Sequence, residues 1–600
     1  MHPTGDESPK LPPPRSLHVE GKTIRDYPAT TFHIEDHPVD ERRNLRVVVI
    51  GAGLAGITAG VLLPHKVPGI HLTIFEKNAD VGGVWLENTY PGVRCDVPAH
   101  VYQSSIEPNT QWTEQFAQGA EIRRYWQETV ARKRGVYEYV ALNSDVTRAE
   151  WVERDDSAEW VLTVRDTRTN ETRTEVADIV ITAIGRYNAW RLPDYPGLQG
   201  VFEGEVWHTS NWSAEPRNVD NKRVAVIGNG ASGVQVVPNL QPRVARLDHY
   251  ARNPTWVAGA YTGDNERTLG PQPIPESLRQ SFVGNDDAYL AYRKEVESPY
   301  WRRFEALFRH LPANDAARTQ YRATMAKRVS KKPELLEKLV PSFAPHCRRL
   351  TPAPGYLEAL CEDNVEYITT PIRRFTRRGI ETTDGTVREV DAVICATGAN
   401  VDAAPPFSIV ARGVDLREAW SPGGLYGWPY SYLGVATPGF PNLFFLGGPH
   451  ASGPSGTVPS AAENYVAYLA RFLRKISSQG IRSMEPTKRA TDDFVAYSDA
   501  WFPQTYLTDA CSAWTNGGQP GGRINALWPG SAAHERYVRF DPRWEDFSYT
   551  YVSGSGNRFA WLGNGWTAKE RDPTTDLTWY LKRPADVDLQ SWYDNWYDLW

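Results

Sequence analysis

Two sets of three glycines stand where phosphate chemistry would need them. Gly51, Gly53 and Gly56 form a Gly-x-Gly-x-x-Gly run directly after the apolar stretch "RVVVI" (46–50). In such a run the first glycine permits a tight turn and the second lets a pyrophosphate approach the backbone. The third lets the following helix pack on the strand, so that its N-terminus faces the phosphates. Glu76 ends the next strand. A carboxylate there accepts ribose hydroxyls and repels a 2′-phosphate, which suits FAD or NAD and not NADP. Gly228, Gly230 and Gly233, with Ser232 among them, repeat the pattern 177 positions later. Here the next strand is followed by Arg252, and a cation suits the 2′-phosphate of NADP. The plainer readings are a glycine turn without a ligand and a solvated arginine. Taken together, two sites of opposite charge preference point to FAD plus NADPH, and that pair to hydride transfer onto a flavin.

A third stretch, "GGVWLENTYPGVRCD" (82–96), holds two glycines, a Trp, a Tyr-Pro-Gly turn, an Arg and an Asp. A surface loop would not need the Trp, and a core strand would not need the charges. A fourth, "FEGEVWHTSNW" (202–212), has the spacing FxGxxxHxxxW through Phe202, Gly204, His208 and Trp212, with Ser213 next.

These last two stretches resemble the two fingerprints of the Baeyer–Villiger monooxygenases, class B flavoprotein enzymes. The resemblance spans roughly residues 45–570. It departs at Ser213, where the family usually has Pro or Asp, and at "TAIG" (182–185), where it often has Ala-Thr-Gly; "CATGAN" (395–400) keeps that pattern. The related N-hydroxylating and S-oxidising enzymes usually carry Phe or Tyr in place of Trp212. The resemblance implies that Gly83, Trp85 and Tyr102 lie against the flavin and that Asp96 orients an arginine beside it. In "PHCRRLTPAPGYLEAL" (345–360), Arg349 matches that arginine and Arg348 the basic residue near the NADP phosphate. The adjacent pair could also be read with the roles exchanged. In such enzymes a C4a-peroxyflavin anion attacks a ketone through a Criegee intermediate. A guanidinium stabilises both anions without protonating them, and bound NADP⁺ shields the site from water. His208 reads as a hinge residue between two nucleotide domains, since a lone histidine is more often a satisfied structural group than an acid or base. "CSAWTNGGQPGGRINALWPGS" (511–531) resembles the mobile loop of fungal polyketide- and steroid-type members. Trp514 would then close over NADP and substrate, with Gly517, Gly518, Gly521 and Gly522 giving freedom to move. A core Trp beside a flexible turn is the alternative.

The implied function is insertion of one oxygen atom from O2 beside the carbonyl of a bulky ketone, polyketide or terpenoid/steroid in type, giving an ester or lactone. Two alternatives stand beside it: a heteroatom-oxidising or hydroxylating flavin monooxygenase on the same scaffold, and a catalytically degenerate flavin-binding protein.

The elements that must position these residues follow from local pattern. "RVVVI", the glycine turn and helix, and "IHLTIFEK" (70–77) form a βαβ unit, as do "RVAVIGNGASGVQVVPNL" (223–240) and the strand after it. "EWVLTVRD", "ADIVITAIG", "NVEYITT", "DAVICATG" and "PNLFFLGG" read as strands, and Asp384-Gly385 as a hairpin turn. "SAAENYVAYLARFLRKI" reads as an amphipathic helix. The fold class is α/β: two Rossmann-type dinucleotide-binding domains, for FAD and NADP, with a helical insertion and an irregular, aromatic-rich C-terminal extension. The expected layout is a flexible N-terminal arm at 1–44, FAD-binding parts at 45–200 and 396–485, and an NADP-binding domain at 201–395 with the insertion at about 265–345. Residues 486–600 would be a loop-rich segment that closes the active site.

Bulk composition agrees with an enzyme of several domains: 600 residues, 41% hydrophobic and 23% charged. A net charge of −6 gives no footprint for nucleic acid. Aromatic content is 12%, with 22 Trp, most of them expected in cores. Five scattered cysteines predict no disulfide framework, no metal site and a reducing, cytoplasmic setting. No stretch is apolar enough to enter a membrane, and the polar, Pro-rich N-terminus predicts no signal peptide. The oligomeric state is open.

Overall fold

Short runs of β-branched residues, buried on both faces, build two parallel five-stranded sheets, one around each glycine motif. In the first, strand Leu45–Ile50 lies between Ile70–Phe75 and Ile179–Thr182, with Leu443–Phe445 and Val140–Ala141 at the edges. In the second, Arg223–Ile227 lies between Arg246–Tyr250 and Ala392–Cys395, with Glu205–His208 and Val365–Ile368 at the edges. All these pairings are parallel. Such sheets bury both faces, which is why their central strands read as mostly apolar runs. The helices that follow the glycines are Leu54–Lys66 and Ala231–Leu240.

The computed structural model describes residues 32–589 apart from 156, 188, 213–216, 259–271, 401–403, 452 and 554–556, together with the strands His18–Val19 and Lys22–Thr23. Ser213, most of the expected N-terminal arm, the start of the expected insertion and the aromatic tail 591–600 therefore lie outside the described residues.

A third sheet is mostly antiparallel and alternates in burial. Ser144–Glu153 pairs with Ala158–Asp166, where Trp151 faces Trp160 directly across the strands with ring centroids 5.6 Å apart. Asp384-Gly385 turns the chain between Gly379–Thr382 and Val387–Glu389, with Gly385 at φ +84°. The amphipathic stretch forms helix Val458–Ser478. After the second glycine helix come the helices Glu276–Ser281, Asp286–Trp301 and Ala313–Arg328. Beyond residue 485, where the sequence offers little pattern, there is a 14-residue helix, Lys488–Trp501, capped by Thr487 Oγ1, which accepts from the Ala490 amide at 3.2 Å.

The sheets belong to one compact unit, Arg43–Ser477 with Ile481–Thr550. A smaller unit comprises Met1–Arg42, Ser478–Gly480 and Tyr551–Trp600. Within it, Val39 donates its amide to the Trp566 carbonyl at 2.8 Å and Asn564 donates to Asp36 at 2.7 Å. Among the described residues, no helix is long and apolar enough to cross a membrane.

The cysteine expectation is corrected. Cys347 and Cys511 form a disulfide across 164 positions, while Cys95, Cys361 and Cys395 are free and buried. Pairing needs two sulfurs brought within bonding reach, which the tertiary fold decides and residue spacing does not show.

Candidate functional site: two glycine turns and an arginine–aspartate pair

The two glycine turns are close copies. Gly51 has φ +106°, and a Cβ there would lie 2.7 Å from the Ala183 carbonyl oxygen; Gly228 has φ +102°, with the Ala396 oxygen at 2.5 Å. A Cβ on Gly56 would fall 1.9 Å from the Gly51 oxygen, and one on Gly233 2.0 Å from the Gly228 oxygen. No side chain fits at these four positions. The middle glycines differ. A Cβ on Gly53 would face the Gly83 Cα at 3.5 Å, whereas nothing lies within 4 Å of one on Gly230. Each turn therefore bares main-chain amides at a helix start, the cradle that a pyrophosphate needs.

Glu76 is buried at the end of its strand. Its oxygens accept the amides of Ala52 at 2.8 Å and Asn78 at 2.9 Å, tying it to the glycine turn. Burial raises its pKa, and those two amides oppose the rise. Arg252 is exposed on the wall of the cavity described below. Arg348 lines the same wall and donates to the Pro254 carbonyl at 3.4 Å. Burial lowers the Arg348 pKa, and the Arg252 charge adds to that effect.

The 82–96 stretch spans the space between the two turns. At one end Gly83, at φ +54°, packs so closely that a Cβ would lie 2.8 Å from the Gly53 Cα. At the other, Gly92 at φ +84° meets helix Ala231–Leu240, where a Cβ would lie 2.8 Å from the Gln235 oxygen. The Tyr90 hydroxyl donates to Gln235 at 2.9 Å, and Gln235 donates back to the Arg94 carbonyl at 3.1 Å. Trp85 donates its indole N–H to the Tyr102 hydroxyl at 3.2 Å, with the rings edge to face. The stretch ends at Asp96, whose two oxygens accept Arg349 Nε at 2.8 Å and Nη2 at 2.6 Å. This bidentate fork fixes the plane of the guanidinium. The arginine stays 43% exposed and lines the cavity.

Of the 202–212 stretch Ser210 lines the cavity, whereas Phe202, Gly204, His208 and Trp212 do not. These four build the junction beside the second sheet. Phe202 packs edge-on against Phe375 at 5.6 Å, and a Cβ on Gly204 would collide with Phe202 and with the Asp391 oxygen at 2.7 Å. His208 is buried and stacked on Trp190 at 5.1 Å, and its Nδ1 accepts the Ser210 amide at 3.0 Å. Burial lowers its pKa. Trp212 meets Trp207 at 5.7 Å, and its carbonyl accepts the Thr89 hydroxyl at 3.0 Å. That bond joins this stretch to the 82–96 stretch.

Trp514 opens a single 3-10 turn, Trp514–Asn516, on the cavity wall. Asn516 pins the turn, accepting the Ala513 amide at 3.0 Å and donating to the Cys511 carbonyl at 2.8 Å. Gly517, Gly518 and Gly521 have φ of +64°, +78° and +69°. Gly522 serves packing instead, since a Cβ there would lie 2.8 Å from the Asn516 oxygen. The disulfide places this loop beside the segment that carries Arg348 and Arg349.

Tyr187 and Tyr300 lie near the arginine–aspartate pair, and Arg186 lines the same cavity; none of the three was singled out from sequence. Tyr187 feels the charges of Arg349, Arg186 and Asp96, and Tyr300, from helix Asp286–Trp301, those of Arg349, Arg303 and Asp96. Arg186 and Tyr187 directly follow "TAIG". They leave the C-terminal end of a parallel strand, where such sheets bind ligands, and that position is a usable signal.

All these walls enclose one cavity of about 1630 Å³. Single-ligand pockets run to roughly 300–1,000 Å³, so this one has room for more than one ligand.

Comparison with known proteins agrees with this geometry. An NAD(P)-binding Rossmann-like domain profile matches residues 49–118, and a profile described as L-lysine 6-monooxygenase/L-ornithine 5-monooxygenase matches 114–260. The chain is 35% identical over 547 residues to the FAD-binding monooxygenase tazF of Aspergillus terreus, covering 90% of this chain and 95% of that one. It is 33% identical over 497 residues to a Baeyer–Villiger monooxygenase of Pseudomonas aeruginosa, covering 81% and 88%. The crystal structure of OTEMO complexed with FAD and NADP superposes with a TM-score of 0.71 at 27% identity, over 84% of this chain and 99% of that one.

Proposed function

Because the chain belongs to the Baeyer–Villiger branch of the FAD-binding monooxygenases, we propose that it converts a bulky ketone into an ester or lactone, with Arg349 as the charge-stabilising group. It is an NADPH-dependent flavin monooxygenase, and its cofactors are FAD and NADP(H). The overall change consumes ketone, O2, NADPH and a proton, and releases the ester, water and NADP⁺. Bound FAD, once reduced by NADPH, supplies the electrons that activate oxygen.

The observation that carries the reading is the bidentate Asp96–Arg349 pair on the wall of a cavity that both glycine turns reach. Arg349 holds negative charge on the attacking oxygen and then on the former carbonyl oxygen. A guanidinium serves both without giving up a proton. Asp96 is a positioning residue: it sets the guanidinium plane. Gly51, Gly53, Gly56 and Glu76 hold FAD, with Gly83, Trp85 and Tyr102 against it. Gly228, Gly230, Ser232 and Gly233 hold the pyrophosphate of NADP, and Arg252 and Arg348 its 2′-phosphate. Trp514 covers NADP and substrate. Phe202, Gly204, His208 and Trp212 transmit movement between the nucleotide domains, which we assign to 45–200 with 396–485 and to 201–395.

The test is Arg349→Ala. The purified variant should keep its yellow FAD and still oxidise NADPH, yet form no ester from a ketone panel read by mass spectrometry. Ester formation at the wild-type rate would overturn the assignment. The match of residues 114–260 to the lysine/ornithine monooxygenase profile motivates a parallel panel of amines and sulfides. Oxygenation of that panel alone would transfer the chain to heteroatom chemistry.

A further inference from the structure

The two least exposed arginines among the described residues, Arg328 and Arg539, have carboxylate partners. Arg328 is forked to Glu358 at 2.8 Å by both Nε and Nη2, and Arg539 is paired with Glu535. Arg186 departs from that pattern. It lies on the cavity wall, and Nη2 donates to the main-chain carbonyls of Gly448 and, at 3.0 Å, Ala526. Its electrostatic partners are the phenols of Tyr187 and Tyr465, and no carboxylate among the described residues pairs with it. Burial lowers its pKa to about 10, so it remains a cation at neutral pH. A half-buried cation on a cavity wall, with carbonyls and no carboxylate among the described residues to meet it, suits an anion in that cavity. Arg348, also desolvated and held only by a carbonyl, is the one we assign to a cofactor phosphate.

The position of Arg186 identifies the ligand it would take. Tyr187, the next residue, lies in the field of Arg186, Arg349 and Asp96 together, so both arginines act on one part of the cavity. The Trp514 ring sits 5.9 Å from the Arg186 guanidinium and 6.0 Å from the Tyr187 ring. A molecule whose carbonyl lies at Arg349 therefore meets a second cation across an aromatic wall.

We propose that Arg186 is a specificity subsite for an anionic oxygen on the ketone substrate, a carboxylate or an acidic phenol, so that the natural substrate is a charged ketone held at both ends. The proposal rests on the oxygenation reading above for the word ketone, and on Arg186 alone for the anion.

The test uses the FAD-loaded protein and does not depend on turnover. Benzoate, pentafluorophenolate and neutral methyl benzoate are titrated in, and binding is read from the flavin absorption spectrum and tryptophan fluorescence. In wild type at least one anion should bind about ten- to a hundredfold more tightly than the ester, as a charge-assisted bond would give. Whichever anion prevails names the source of the charge. Arg186→Gln should bring that ratio near one, and Arg186→Lys should keep part of it. A wild type without anion preference overturns the proposal, as does a preference that survives in Arg186→Gln. Loss of FAD from both variants would give this cation to the flavin and overturn it too. A second readout compares kcat/KM for a keto acid and its methyl ester, whose ratio should fall by the same factor in Arg186→Gln. If no ketone is oxygenated, the oxygenation reading fails while the titration still decides the subsite.

Discussion

Arg252 and Arg348 face the same part of the cavity, and each charge disfavours the other. Two cations kept together gain most from a ligand group that carries two negative charges, and the 2′-phosphate of NADP is such a group. Arg252→Ala should therefore raise KM for NADPH about tenfold or more and leave KM for NADH nearly unchanged, as steady-state kinetics with both coenzymes would reveal. Equal rises would remove the assignment. At this scale, sequence was informative wherever residue type sufficed. Glu76 after its strand and Asp96 after its turn could both be singled out by charge in an apolar setting. Arg186 could not, because its interest lies in standing on the cavity wall with carbonyls for partners, and a sequence does not display which groups meet in space.

The two glycine turns make a prediction about elements. Both close a strand–turn–helix corner, and in both the third glycine abuts the carbonyl of the first within 2.0 Å of where a Cβ would be. Alanine at either position must push its helix off its strand. Gly56→Ala should yield protein depleted of FAD. Gly233→Ala should keep FAD, judged by absorbance, but lose binding of NADP⁺ in titration calorimetry. The reverse pattern would exchange the two nucleotide sites. The central strands of both parallel sheets were legible because they are short, buried and mostly apolar, whereas the edge strands Val140–Ala141 and Glu205–His208 were not. Helix Lys488–Trp501 was not, since its buried face consists of only Thr491, Phe494 and Ser498. The 202–212 stretch shows a further limit. Its pattern is easily recognised, yet the four pattern residues Phe202, Gly204, His208 and Trp212 brace a junction and do not line the cavity.

For the molecule as a whole, buried neutral histidines set the response to acid. Burial lowers His100 and His249 to a pKa of about 4 and His450 to about 3. Unfolded histidine titrates near 6.5. Between those values the unfolded chain binds protons that the folded chain excludes, so stability falls as pH drops from about 6.5 toward 4. Thermal unfolding should show a Tm that holds above pH 7 and declines steadily below 6.5. A flat Tm down to pH 5 would mean that these rings accept protons in the folded state. Composition predicted none of this, because it reports how many histidines a chain has and not which are enclosed.

The Cys347–Cys511 bridge sets a mechanical limit on the active site. Arg349 lies two residues from one end of the bridge and Trp514 three from the other, and the bridged Cα atoms are 6.2 Å apart. An extended chain gains at most about 3.6 Å per residue. The arginine and the tryptophan are thus on a leash of five residues and one cross-link, about 24 Å between Cα atoms at full stretch, and any larger swing of the loop must pull the arginine's segment with it. While the bridge is closed, loop and guanidinium cannot separate beyond that reach; once it is reduced, only packing holds them together.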